Sequence, residues 1–104
     1  MNVLISTLKE ELATVKRLER KYLKALEDLP HGSFVVRTVR GKKYGYLTYR
    51  DGANVKQRYL GRMDDKEIGL YRKAIEKRND YKKKLRSVRE QKKVLMRALR
   101  EKAK

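Results

Sequence analysis

Between Arg37 and Arg62 the chain sets eight cations, Arg37, Arg40, Lys42, Lys43, Arg50, Lys56, Arg58 and Arg62, among the rings of Tyr44, Tyr46, Tyr49 and Tyr59. Guanidinium and ammonium groups neutralise phosphates, and phenol rings stack on bases or pack against sugars, so this mixture has the chemistry of a nucleic-acid contact. One acid, Asp51, accompanies those eight bases over residues 31–62. A surface kept charged only for solubility mixes the two signs. The candidate nucleic-acid-binding residues are therefore Arg37, Arg40, Lys42, Lys43, Tyr44, Tyr46, Arg50, Lys56, Arg58 and Arg62.

Other chemistry is poorly supplied. The single histidine, His31, sits between Pro30 and Gly32 and reads as a turn residue; with no cysteine in the chain, the usual transition-metal ligand sets cannot be assembled. Asp64, Asp65 and Glu67 are placed to cap a helix and face its positive end. Tyr49 or Tyr59 beside arginines has the ingredients of a strand-exchange nucleophile, yet so small a sheet offers no enclosed pocket, general acid or histidine partner. Gly41, Gly45, Gly52 and Gly61 are spaced as turn and strand-end residues and form no phosphate loop. The expectation is a protein that is not an enzyme and needs no cofactor, metal or small-molecule substrate.

The elements that must position the cations follow from periodicity. Leu4, Leu8, Leu12, Val15, Leu18, Tyr22, Leu26 and Leu29 recur in steps of three or four and predict a first helix over 2–29, closed by Pro30. Residues 33–61 change to β-branched and aromatic runs, Phe34 to Arg40, Lys43 to Arg50 and Val55 to Gly61. A Gly41-Lys42 pair and an Asp51 to Asn54 turn separate them, and together they predict a three-stranded antiparallel meander. Ile68, Tyr71, Ile75, Tyr81, Leu85, Val88, Leu95, Leu99 and Ala103 then predict a second helix over 64–102. At 1.5 Å per residue it would reach ~57 Å against ~40 Å for the first, leaving its last turns unpaired, to fray or to meet another copy of the chain.

The second hairpin allows two pairings. With Tyr49 opposite Val55, Phe34, Val36, Leu47, Tyr49, Val55 and Tyr59 share a core face, and Arg37, Tyr44, Tyr46, Arg50, Lys56 and Arg58 share a basic one. With Arg50 opposite Val55, both faces are mixed. The first pairing is preferred because it buries the apolar residues together.

Composition bounds the whole. A chain of 104 residues that is 39% hydrophobic and 41% charged is expected to form a single domain over 1–104 with a thin core. The fold class expected is α+β: two long helices in an antiparallel coiled-coil-like pair, capped by the meander, in the order α-β-β-β-α. The N-terminus lacks the basic region of a signal peptide and no apolar run approaches membrane-spanning length, so a cytoplasmic protein is expected. The net charge of +17 is uneven: +1 over residues 1–30, +7 over 31–62 and +9 over 63–104. The runs Lys82 to Lys84, Arg86, Arg89, Lys92, Lys93, Arg97 and Arg100 wrap around much of the last helix, and with neither Trp nor Phe on its apolar stripe a membrane-surface role is disfavoured.

The run Leu29-Pro30-His31-Gly32-Ser33, the segment Gly41 to Gly52 and the stretch Val55 to Gly61 together resemble a family of short archaeal and bacterial proteins of unknown function. Its members share the order helix, meander, long charged helix, so the resemblance implies the architecture and supplies no activity. The central segment is also similar to the small sheets at the N-termini of some transposases and of tyrosine recombinases. There the sheet docks in the DNA major groove, and the likeness implies groove contacts at Arg37, Tyr46, Arg50, Lys56 and Arg58.

Two functions follow. The first is a non-catalytic nucleic-acid-binding protein of a mobile or viral element, with DNA ahead of RNA, using the sheet for groove contact and the basic helix for phosphates. The second is a structural or adaptor protein, a homo-oligomer assembled through its long helices with no nucleic-acid role.

Overall fold

The computed structural model describes residues 2–102; Ala103, counted above in the apolar stripe of the second helix, lies outside them. Its elements are α1 (Val3–Glu27), β1 (Ser33–Val39), β2 (Lys42–Asp51), β3 (Asn54–Arg62) and α2 (Asp65–Lys102), an α+β chain in the expected order α-β-β-β-α. They gather into two compact units. One holds the residues up to Asp28 together with those from Asp80 onward, and the other is Leu29–Asn79.

In the helical unit, α1 begins at Asn2, whose side-chain oxygen accepts from the amides of Leu4 at 2.9 Å and Ile5 at 3.3 Å. It satisfies two of the four donors that a helix start leaves free. The helix stops at Asp28, two residues before Pro30. Val15 of α1 and Leu85 and Val88 of α2 are buried, and Tyr22 meets Tyr81 with ring centroids 5.9 Å apart. Leu26 lines a groove with Lys82 and Leu85, Val15 one with Gln91 and Leu95, and Leu12 one with Met96 and Leu99. The partners descend along one helix as they ascend along the other, so the two run antiparallel.

That pairing reverses one expectation. The surplus length of α2 is not in its last turns, since Leu99 shares a groove with Leu12 of α1. It lies in the first turns, which belong to the sheet unit: Tyr71 stacks on Phe34 of β1 with centroids 4.7 Å apart. The physical reason is that the sheet needs an apolar cover of its own. Ile68 and Tyr71, read as part of a helix-helix stripe, supply it.

In the sheet unit the strands lie in the order β1-β2-β3, all antiparallel. Arg40 and Gly41 turn the first hairpin with φ of 52° and 78°, the two positive values of a type I′ turn. Arg40 is thus a turn residue and the strand ends at Val39. The second hairpin turns on Gly52 and Ala53, with Gly52 at φ 63°, the pattern of a type II′ turn. Such a two-residue turn sets Asp51 opposite Asn54 and hence Arg50 opposite Val55. The preferred pairing of Tyr49 with Val55 is overturned, because it would have replaced a tight turn that matches the strand twist with a longer loop.

One irregularity follows. Tyr46 faces Tyr59 while Gly45 faces Gly61, so Leu60 is an extra residue on β3. Past this bulge the ladder runs on to Met63, whose amide donates to the Lys43 carbonyl at 2.9 Å. Met63 crosses the space that a side chain on Gly45 would fill: a Cβ there would lie 2.5 Å from the Met63 Sδ and 3.2 Å from the Phe34 ring. The core of this unit is Leu47 and Ile68. Among the described residues no helix is long and apolar enough to cross a membrane.

Candidate nucleic-acid interface

Residues directly opposite one another on neighbouring strands share a face, so the register sorts every candidate. The inner face carries Phe34, Val36, Lys43, Gly45, Leu47, Tyr49, Lys56 and Arg58. The outer face is built in rows across the strands: Arg50 with Val55, then Ser33-Thr48-Gln57, then Val35-Tyr46-Tyr59, then Arg37-Tyr44-Arg62, then Val39 with Lys42. Of the predicted site, Arg37, Lys42, Tyr44, Tyr46, Arg50 and Arg62 come together there. Lys43, Lys56 and Arg58 do not, and Arg40 stands apart in the turn between β1 and β2.

Two of the three inner-face cations are paired with acids, and Arg58 is not among the ion pairs of the described residues. On the inner face Lys43 donates to Asp65 at 2.6 Å and Lys56 to Asp51 at 2.6 Å. The Lys43 hydrogen bond, then its charge, holds the Asp65 carboxyl below its ordinary value. Asp65 is therefore an ion-pair partner, and the helix cap is Asp64, whose carboxylate accepts from the Glu67 amide at 2.7 Å. No residue in the rows of the outer face is acidic. Arg37, Lys42, Arg50 and Arg62 lie there without a carboxylate partner among the described residues.

Three tyrosines form the middle of that face. Tyr59 lies 5.3 Å from Tyr46 and 6.5 Å from Tyr44 between ring centroids, and the Arg37 guanidinium sits 4.9 Å from the centre of the Tyr46 ring. Mutual packing restrains ring and guanidinium alike, which lowers the entropy lost when a ligand orders them. Tyr59 stays 56% exposed and Val55 66%. The pairing preferred on apolar grouping puts both on the core face, so they are the outer-face residues that the candidate list lacks. The signal was present in Asp51-Gly52-Ala53-Asn54: a glycine at the first central position of a two-residue turn places Val55, and with it Tyr59, outward.

The cations of α2 are also sorted. At 3.6 residues per turn, Lys82, Arg86, Arg89, Lys93, Arg97 and Arg100 fall within an arc of about 80°, and all six are exposed. They form one stripe along the helical unit, where the sequence suggested a girdle. Glu19 of α1 meets the edge of it, accepting from Lys92 Nζ at 2.9 Å and Arg89 Nε at 3.1 Å. Those two hydrogen bonds, Lys92 first, hold the Glu19 carboxyl below its ordinary value. Like charges three or four residues apart, such as Lys82 with Arg86 or Arg97 with Arg100, each cost the helix about 0.2–0.5 kcal/mol.

Fold and surface together define a small α+β protein with a basic, tyrosine-bearing sheet. Residues 6–69 match the family model described as Domain of unknown function (DUF6788), and the chain belongs to that family. The match takes in α1 from Ser6 onward, the sheet and the first turn of α2, and stops before the cationic stripe. No curated protein and no solved structure matches the chain.

Proposed function

We propose that this is a non-catalytic nucleic-acid-binding protein whose ligand is duplex DNA and whose contact surface is the outer face of the sheet. The observation that carries the reading is the segregation of acids: Arg37, Lys42, Arg50 and Arg62 share a face without one, while the opposite face has Asp51 and Asp65 to pair Lys56 and Lys43 and leaves Arg58 unpaired among the described residues. Leaving cations unneutralised around a tyrosine cluster costs self-repulsion that a polyanion relieves.

A duplex suits the dimensions. Three strands at ~4.8 Å spacing measure about 10 Å between the outer strand axes, against a major groove about 12 Å wide. Arg37, Arg50 and Arg62 flank the groove and take phosphates. The rings of Tyr44, Tyr46 and Tyr59 with Val35 and Val55 meet sugars and thymine methyls. Between the cations lies the row Ser33-Thr48-Gln57, whose hydroxyls and amide have the donors and acceptors to read base edges, Gln57 an adenine above all. The likeness of the central segment to recombinase and transposase sheets supports groove contact by Arg37, Tyr46 and Arg50, while Lys56 and Arg58, which it also implied, lie on the other face.

The test is a titration against duplex DNA, single-stranded DNA and RNA over a range of salt. Duplex should bind tightest, and its affinity should fall with salt at a log-log slope of about −0.9 for each phosphate neutralised. Equal binding to all three by wild type and by an Arg37→Ala, Arg50→Ala, Arg62→Ala variant would reject the sheet as the contact surface.

A further inference from the structure

We propose that the stripe Lys82, Arg86, Arg89, Lys93, Arg97 and Arg100 on α2 is a second nucleic-acid contact, which takes the phosphate backbone without regard to sequence. It goes beyond the sheet reading because it uses other residues, in the other compact unit and outside the family match.

Segregation is again the argument. Within residues 80–102 the acids are Asp80, Glu90 and Glu101, and on a helical wheel at 100° per residue each falls outside the arc of the six cations, Glu90 at its border. All three acids are themselves exposed, so the separation lies within the exposed side: the acids stand beside the stripe and none interrupts it. Two stripe residues have partners, Arg89 with Glu19 and Lys93 with Glu90 at 3.4 Å. Lys82, Arg86, Arg97 and Arg100 have none among the described residues. From Lys82 to Arg100 the row runs ~27 Å at 1.5 Å per residue. Over that length a duplex presents on the order of 16 charges, one per ~1.7 Å.

The stripe fits a dissolved polyanion better than an anionic membrane. An interfacial helix lays a continuous apolar face into the lipid, whereas Leu85 and Val88 of this one are buried in the helical unit and leave only Val94 and Met96 as exposed large apolar residues among those described from residue 80 onward. Phosphate contacts of this kind carry no base information, so they add affinity and salt dependence to whatever sequence the sheet engages.

The experiment uses the full chain and a mixed-sequence duplex. Lys82→Gln, Arg86→Gln, Arg97→Gln and Arg100→Gln together leave both stripe ion pairs intact, and circular dichroism checks that the helices persist. The Arg97→Gln, Arg100→Gln pair serves if the fourfold variant is poorly folded. A control removes the same charge elsewhere on α2, by Lys73→Gln, Lys83→Gln, Lys84→Gln and Lys102→Gln. The fourfold stripe variant should flatten the log-log salt slope by about 3 to 4 and the pair by about 2, with the control well under half of that. An unchanged slope overturns the proposal. So does an equal loss in the control, which would mean charge at large, and so does wild-type binding to anionic vesicles in place of duplex. Weakened binding by the stripe variant alongside an Arg37→Ala, Arg50→Ala, Arg62→Ala variant that binds as wild type supports the stripe and discards the sheet reading.

Discussion

The two faces of the sheet are drawn from the same three strands and carry the same kinds of residue, yet one holds the unit together and the other is left open. Inside, Leu47 is 5% exposed, Phe34 stacks on Tyr71, and Lys43 and Lys56 are tied to carboxylates. Outside, tyrosines pack on each other with Tyr59 left exposed, and Arg37, Arg50 and Arg62 have no carboxylate partner among the described residues. A basic aromatic segment is therefore not one site. The pleat divides it into a half that carries or meets acids, which pair Lys43 and Lys56, and a half whose cations have no acid beside them.

The sharpest way to break this contrast is to cut each face and compare stabilities. Leu47→Ala should cost about 2–5 kcal/mol, several degrees of melting temperature for each kcal/mol in a chain of this size. Val55→Thr on the outer face should cost less than about 0.5 kcal/mol. Equal losses in thermal unfolding would mean that the outer face is covered. Gly45→Val comes next, at about 1–3 kcal/mol, because Met63 and Phe34 occupy the space a side chain needs. A fully stable variant would place Met63 elsewhere.

Binding gives the reciprocal cut. Arg37→Ala with Arg50→Ala and Arg62→Ala should flatten the DNA salt slope by about 3, while Lys43→Ala with Lys56→Ala should leave it unchanged. The reverse result would exchange the roles of the faces. Arg40→Asn should raise stability by about 1 kcal/mol, since an arginine at φ 52° is held against its preference and Asn-Gly is the favoured pair for this turn. Affinity for DNA should fall slightly in the same variant if Arg40 reaches a phosphate.

The smallest effect concerns the helical unit. Glu19 titrates below its ordinary 4.5 when folded, so the stability it contributes is complete above that pH and lost as pH falls through the lowered folded value. Unfolding measured from pH 6 to pH 3 should lose part of its pH dependence in Glu19→Gln. An identical pH profile would show that Lys92 and Arg89 do not hold the carboxylate in solution.

Much of this was legible in the residues. Periodicity located both helices and all three strands to within a few residues, and Asp64 stood where a cap was needed. The site was legible as a region and not as a surface. Tyr59 and Val55 were placed inside because grouping apolar side chains is the reasonable guess when register is open, whereas the backbone of Gly52 and Ala53 settles the register before any side chain is buried. Lys56 and Arg58 moved inward by the same one-residue shift. The stripe on α2 shows the opposite case, for its spacing was already in the sequence and the runs of adjacent lysines obscured it.

The amino-acid sequence alone determined the order of elements, the excess of positive charge and its concentration after residue 30, because propensity, periodicity and charge are properties of short stretches of chain. Tertiary structure alone decided which cations meet acids and which stay free, and which half of α2 covers the sheet. Those outcomes depend on a turn two residues long, on one bulge at Leu60, and on carboxylates such as Asp65 and Glu19 that lie 22 and 70 residues from the bases they hold. Distances of that kind are closed by folding and are written in no local pattern.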